Sequence, residues 1–82
     1  MFSIFRYKVL RTQALDKHTS EILRRMTERD FDFWADPVQG RSADIMASPQ
    51  NLPDLEKFLA QHQIQYSIMI EDVERWMINN IF

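Results

Sequence analysis

The 82-residue chain contains no cysteine, only one glycine and three prolines, and no apolar run longer than three residues. Without cysteine, neither a disulfide bond nor a thiolate metal site can form, so the fold must be stabilised by packing alone. Apolar runs of this length are too short to cross a membrane or to form the apolar segment of a signal peptide. These absences predict a single small domain with no membrane span and little room for a large cavity.

An overall excess of positive charge is lacking as well. The formal net charge is −2, and the sequence pI is about 5.6, whereas a nucleic-acid-binding domain is typically strongly basic. Basic residues do concentrate in residues 1–29, which contain seven Lys or Arg and three Asp or Glu, against three and nine in residues 30–82. Within one small domain, two solvated faces of opposite charge are the simplest interpretation of this split. The sequence therefore predicts no nucleic-acid partner.

Hydropathy periodicity predicts four strands and three helices. The strands are predicted at residues 4–12, 31–34, 42–47 and 65–70, and the helices at 16–29, 51–62 and 71–82. Asp16 is a suitable N-cap for the first helix, and Asn51 with Asp54 three residues later resembles a capping box at the second. The order comprises two split βαβ units followed by a helix. It predicts an α+β fold: a ferredoxin-like open sandwich with a four-stranded antiparallel sheet (βαββαβ), two helices on one face and a C-terminal helix.

Large apolar side chains are predicted on both faces of this sheet. Phe33 and Trp34 are adjacent in one strand and must point to opposite faces. The last strand is predicted to place Tyr66, Ile68 and Ile70 on one face and Ser67 and Met69 on the other. Because two helices cover only one face, the remaining apolar face predicts a partner site. The alternative is that the C-terminal helix, with Trp76, folds under the sheet and fills that face itself.

Catalytic chemistry has little support in the sequence. Val38-Gln39-Gly40-Arg41 resembles the phosphate-binding loop of acylphosphatases, but in that family the loop joins the first strand to the first helix. Here it joins the second and third predicted strands, and no helix N-terminus follows Arg41 to bind an anion. Glu71 and Asp72 stand at a helix start, where acidic side chains complement the helix dipole. The sequence predicts that the chain is not an enzyme.

Three stretches of the sequence resemble segments of a known type of domain and lie at the same positions along the chain. They are Tyr7-Lys8-Val9-Leu10-Arg11, Phe31-Asp32-Phe33-Trp34 and Tyr66-Ser67-Ile68-Met69-Ile70-Glu71-Asp72-Val73. Together they resemble the activation domain, or propeptide, of the pancreatic-type zinc metallocarboxypeptidases, and the resemblance covers essentially the whole chain. The short loop after Trp34 and the third stretch are more similar to the A type than to the B type, which has a longer insertion there.

The resemblance implies a function without catalysis. Such a domain covers the active-site cleft of its carboxypeptidase with the sheet side toward the enzyme, inhibits it, and can assist its folding, until a trypsin-like protease releases the domain. Residues 1–72 would form this domain, and residues 73–82 would begin the helix that connects it to the enzyme. Secretion is implied, no cofactor is expected in the chain, and the zinc belongs to the partner enzyme.

The resemblance also implies which residues contact the partner. They lie at the end of the second strand and in the following loop: Trp34, Asp36, Pro37, Val38, Gln39, Gly40, Arg41 and Ser42. An alternative remains open, in which the chain is an unrelated ferredoxin-like interaction module or a homodimer that pairs its uncovered sheet faces.

Overall fold

The computed structural model describes residues 6–26 and 31–80 of the chain. The elements are β1 (Lys8–Thr12), α1 (Lys17–Met26), β2 (Asp32–Ala35), β3 (Asp44–Ala47), α2 (Leu52–Gln61), β4 (Tyr66–Ile70) and α3 (Val73–Asn80). Predicted strand residues 4 and 5 and predicted helix residues 27–29, 81 and 82 lie outside the described residues. None of the helices in the described ranges combines the length and apolarity needed to cross a membrane.

The four strands form one antiparallel sheet in the order β2-β3-β1-β4. The alternating central strands place Leu10 of β1 opposite Ile45 of β3, and both side chains point toward α1 and α2. The core on this face consists of Leu10, Leu15, Leu23, Ala43, Ile45, Ala47, Leu55, Leu59 and Ile64. The predicted α+β, ferredoxin-like fold is confirmed.

A second, smaller core lies on the opposite face of the sheet, which we call the α3 face. Val9, Met46 and Ile70 from three strands pack there against Val73 at the start of α3. Met77, one turn further along α3, also packs against this group. The C-terminal helix therefore folds under the sheet, as the alternative interpretation of the sequence held, and covers part of the face that α1 and α2 leave open.

The predicted faces of the last strand are wrong for Ile70. Val9 pairs with Ile70 and Leu10 with Ile68, so Met69 is an extra residue in β4 without a counterpart in β1. Such a bulge interrupts the alternation of side chains between the two faces. Tyr66 accordingly packs on the α1 and α2 side, whereas Ile70 belongs to the α3 face.

The first strand is shorter than the predicted span of residues 4–12. Arg6 has a positive φ of 62°, which bends the chain out of the extended conformation. The pairing of β1 with β3 ends at Lys8 and Ala47. The Tyr7 carbonyl instead accepts a hydrogen bond of 2.8 Å from the backbone N–H of Val73. This bond ties the start of α3 to the beginning of the sheet.

The start of α1 confirms the predicted cap. The backbone N–H of Thr19 donates to the Asp16 carboxylate at 2.7 Å, and the Asp16 N–H donates back to the Thr19 hydroxyl at 3.0 Å. These bonds satisfy backbone donors that a helix start leaves unpaired. The backbone and side-chain hydrogen bonds from Thr19 hold the pKa of Asp16 below its ordinary value.

We expect the stabilising effect of Asp16 to depend on pH in the acidic range. Because its pKa is lower in the folded chain than in the unfolded chain, the stabilisation is complete above the unfolded value of about 4 and is lost as the pH falls through the folded value. The melting temperature of wild type should therefore exceed that of Asp16→Ala by a constant amount from about pH 7 to pH 5. Thermal melts should show the difference narrowing below about pH 4, and parallel curves down to pH 3 would contradict this expectation.

The capping box predicted for α2 is wrong. Asn51 is the N-cap residue, but its side chain makes no capping hydrogen bond, and its backbone is in the right-handed helical region (φ −94°, ψ −13°). A capping side chain requires the extended backbone conformation. Asn51 cannot adopt it because the backbone N–H groups of Asn51 and Leu52 both donate to the Ser48 carbonyl in a tight turn.

Candidate partner-binding surface

Trp34 lies at an irregular point of the edge strand β2. Phe33 pairs with Ile45 and Ala35 pairs with Asp44, so the register shifts at Trp34. Phe33 packs against the core beneath α1 and α2, whereas the Trp34 ring meets the Trp76 ring of α3. The two neighbouring aromatic residues thus point to opposite faces, as the sequence predicts.

The Trp34 ring is only partly covered by this contact. Its centroid lies 5.5 Å from that of Trp76 with the ring planes tilted by 58°, a favourable arrangement for an aromatic pair. Trp34 nevertheless remains 41% exposed, and Met69 on the opposite edge strand is 43% exposed. Aromatic side chains and Met are enriched in protein interfaces. Exposed aromatic area at the edge of the α3 face is a feature of a binding surface.

A charged pair lies on the α3 face where the pairing of β1 with β3 ends. The Arg11 guanidinium donates two hydrogen bonds to the Asp44 carboxylate, from Nε to Oδ1 at 2.8 Å and from Nη2 to Oδ2 at 3.0 Å. The Asp44 side chain is nearly buried at 11% exposure, whereas Arg11 is 52% exposed. The hydrogen bonds and the negative charge of Asp44 raise the pKa of Arg11. A fixed, half-exposed guanidinium can bind a further acceptor on a partner surface.

The β2–β3 loop, residues 36–43, is fixed to the segment just before α1 and to the last turn of α1. The Gly40 N–H donates to the Leu15 carbonyl at 2.7 Å, and the Leu15 N–H donates to the Arg41 carbonyl at 2.9 Å. A third bond runs from Arg24 Nη2 to the Pro37 carbonyl at 2.9 Å. Leu15 and Arg24 therefore hold the loop by three hydrogen bonds, and Thr12 of β1 holds its last residue, Ala43, by two more.

The tip of the loop is a tight turn. The Arg41 N–H donates to the Val38 carbonyl at 3.2 Å, and Gly40 has a φ of +85°. A positive φ at the third of four turn residues defines a type II turn, which strongly favours glycine at that position. The turn presents Val38, which is 44% exposed, together with Gln39 at the surface.

We expect Gly40→Ala to destabilise the domain by about 1–2 kcal/mol through backbone strain, because the left-handed conformation costs this much for a residue with a Cβ atom. A Cβ atom at Gly40 would meet no other atom within 4 Å, so a steric clash would not contribute. Urea denaturation would measure the loss. Gly40→Asn is the control and should lose less, because asparagine tolerates this conformation better. Equal losses in the two variants would contradict the backbone explanation.

The structure brings most of the predicted partner-binding residues to the surface. Exposed among them are Trp34, Asp36, Val38, Gln39, Gly40 and Arg41, and Ser42 is half-buried. The Pro37 side chain is fully buried and anchors the loop from inside. Pro37 can therefore support the surface but offers no side chain for direct contact.

Sequence reasoning did not find several residues that shape this surface. Arg11 and Asp44 are 33 positions apart, and neither belongs to a chemical motif. Leu15, just before α1, and Arg24, in α1, both hold the loop. In the sequence, Arg24 cannot be distinguished from an ordinary solvent-exposed helix residue. The one signal in the sequence was Trp76, which the alternative interpretation placed beneath the sheet with the C-terminal helix.

Within residues 6–26 and 31–80, no three His, Asp or Glu side chains come together in an arrangement that could hold a metal ion.

Comparison with known proteins agrees with this architecture. The family model for the carboxypeptidase activation peptide matches residues 10–79. Carboxypeptidase A1 of Mus musculus is 35% identical over 72 residues, and that of Bos taurus is 33% identical over 72 residues; each alignment covers 83% of this chain and 17% of the relative. A crystal structure of carboxypeptidase A from Helicoverpa armigera shares the fold with a TM-score of 0.83 at 19% identity, covering 94% of this chain and 19% of that one.

An open-sandwich domain with an exposed tryptophan and a fixed loop beside its sheet has features typical of protein-binding domains. The family match makes the assignment specific: the chain belongs to the carboxypeptidase activation peptide family. The resemblance found in the sequence is confirmed, including the similarity to the A type. The chain spans about a sixth of the length of the curated relatives that it matches.

Proposed function

We propose that this domain inhibits an A-type zinc metallocarboxypeptidase by covering its active-site cleft. The observation that carries the proposal is the half-exposed Trp34 beside a loop whose tip, Val38 and Gln39, is fixed in one conformation. Aromatic anchors surrounded by polar groups contribute most of the binding energy in many protein interfaces. A loop that is exposed at its tip and fixed by hydrogen bonds suits insertion into a cleft, and rigidity lowers the entropy lost on binding.

We propose further that the chain has no catalysis of its own and that the zinc is held by the partner enzyme. Residues 1–72 would form the inhibitory domain, and residues 73–82 would begin the helix that leads toward the enzyme. A trypsin-like protease would release the domain after secretion. Until then, the domain would also help the enzyme to fold by covering apolar cleft surface. Family membership supports the association with a carboxypeptidase catalytic domain.

An inhibition assay tests this proposal directly. The purified domain is added in increasing amounts to a mature A-type carboxypeptidase, and hydrolysis of a small peptide substrate is followed. We expect concentration-dependent inhibition that competes with substrate, because the domain covers the cleft. Absence of inhibition at high micromolar concentration would contradict the proposal.

Sedimentation of the domain alone provides the second measurement. An inhibitor that uses its α3 face for the enzyme should be a monomer when free. A stable dimer, together with no inhibition, would favour a homodimer that pairs sheet faces.

A further inference from the structure

Three hydrogen bonds join Leu15 and Arg24 to the β2–β3 loop, and they differ in kind. Two of them join backbone atoms of Leu15 to the backbone of Gly40 and Arg41, so they do not depend on the identity of any side chain. The third is made by the Arg24 side chain, whose Nη2 donates to the Pro37 carbonyl. Among the described residues, it is the one side-chain hydrogen bond between α1 and this loop.

The Arg24 bond acts at a point where the backbone bonds do not. Gly40 and Arg41 are fixed on the far side of the turn, whereas Pro37 lies where the chain enters the turn from β2. The buried Pro37 ring anchors the side of this residue that faces the core. Arg24 binds its carbonyl, and a hydrogen bond from a charged donor is stronger than a neutral one. Together, these contacts fix the direction in which the chain proceeds to Val38.

Arg24 itself lies away from the α3 face. It belongs to α1, and α1 packs against the opposite face of the sheet through Leu23. A partner bound to Trp34 and the loop tip would therefore contact the loop that the Arg24 bond holds, without contacting α1 itself. Any effect of Arg24 on inhibition must be transmitted through the loop.

We propose that Arg24 is a positioning residue for inhibition: by binding the Pro37 carbonyl, it holds the entry of the β2–β3 loop in the conformation that docks into the carboxypeptidase cleft. The inference rests on the proposed function. Without Arg24, the entry of the loop is free to sample other conformations, and binding must restrict them again. Ordering the loop on binding costs conformational entropy, and this cost lowers the affinity for the enzyme.

The test compares Arg24→Ala with Arg25→Ala and Arg24→Lys in the isolated domain. Arg25 is the neighbouring exposed residue of α1, and no hydrogen bond within the described residues joins it to the loop, so its removal is a matched loss of one positive charge. We expect Arg24→Ala to raise the inhibition constant about threefold to tenfold and Arg25→Ala to leave it within about twofold. Arg24→Lys retains a charged donor and should recover part of the loss.

Amide hydrogen exchange distinguishes positioning from a general loss of stability. In Arg24→Ala, the Arg41 amide, which donates to the Val38 carbonyl on the entry side of the turn, should exchange faster than in wild type. The Gly40 amide, which is bonded to Leu15, and the amides of β1 should keep their protection, because only the loop entry is released. Unchanged exchange at Arg41, or equally faster exchange throughout the sheet, would overturn the positioning role. An inhibition constant unchanged by Arg24→Ala would overturn it as well.

The inhibition assays distinguish a failure of the role of Arg24 from a failure of the proposed function. If the wild-type domain inhibits and the Arg24 and Arg25 variants inhibit equally, the role of Arg24 is wrong and the proposed function stands. If the wild-type domain does not inhibit, the proposed function is wrong, and the role of Arg24 in docking is rejected with it.

Discussion

Replacing Trp34 with alanine is expected to weaken inhibition of the carboxypeptidase by roughly 30-fold, which corresponds to about 2 kcal/mol for the loss of a central aromatic anchor. The same change should lower the free energy of unfolding by less than about 1.5 kcal/mol, which is the upper range for an aromatic pair such as Trp34 with Trp76. The ring is 41% exposed in the free domain, so folding depends on only part of it. Inhibition constants and urea denaturation of the same preparations measure both quantities.

Phe33→Ala is the matched control for this experiment. Phe33 precedes Trp34 in the same strand, but its ring packs against the core beneath α1 and α2. Removal of a fully buried phenylalanine costs about 3–5 kcal/mol of stability. Phe33 is half-buried, so this variant should lose part of that amount, and more stability than Trp34→Ala. Where it remains folded, it should inhibit nearly as well as wild type. Equal losses of stability and inhibition in Trp34→Ala would mean that Trp34 is simply a core residue.

Leu59→Ala is expected to lower the free energy of unfolding by about 2–5 kcal/mol. Leu59 in α2 is completely buried in the core between the sheet and the two helices, and its truncation leaves a cavity. At roughly 0.05–0.15 kcal/mol per residue, a domain of this size has a total stability of about 4–12 kcal/mol. The loss is a large fraction of that total, so the urea midpoint of the variant should fall steeply.

Lys57→Ala provides the control from the same helix. Lys57 is exposed, and surface substitutions of this kind usually change stability by less than about 0.5 kcal/mol. A loss in Leu59→Ala no larger than that in Lys57→Ala would contradict the assignment of the core. It would also remove the basis for treating the α1 and α2 face as the stabilising side of the sheet.

The elements and their order could be predicted because each depends on local patterns. The alternation that separates Phe33 from Trp34 is a property of any strand. The cap at Asp16 depends on residues within one helical turn. The candidate surface was also found in outline, since the exposed loop follows Trp34 directly in the chain. Pro37 is the exception, because the burial of its ring depends on what packs above it.

Other features could not be predicted because they depend on pairing between distant segments. The bulge at Met69 becomes visible only when β4 is aligned with β1, and it moves Ile70 to the opposite face. The Arg11 and Asp44 pair requires β1 and β3 to be neighbours. Arg24 meets the Pro37 carbonyl only because the end of α1 lies beside the β2–β3 loop.

The sequence by itself determined that this is one small α+β domain of a ferredoxin-like type, and its three motifs identified the family. Local periodicity and short motifs contain that information. The tertiary structure decided how the second face of the sheet is divided: α3 covers Val9, Met46 and Ile70, while Trp34 stays half-exposed. Which apolar side chains are covered depends on where the last helix packs, and no local pattern specifies that position.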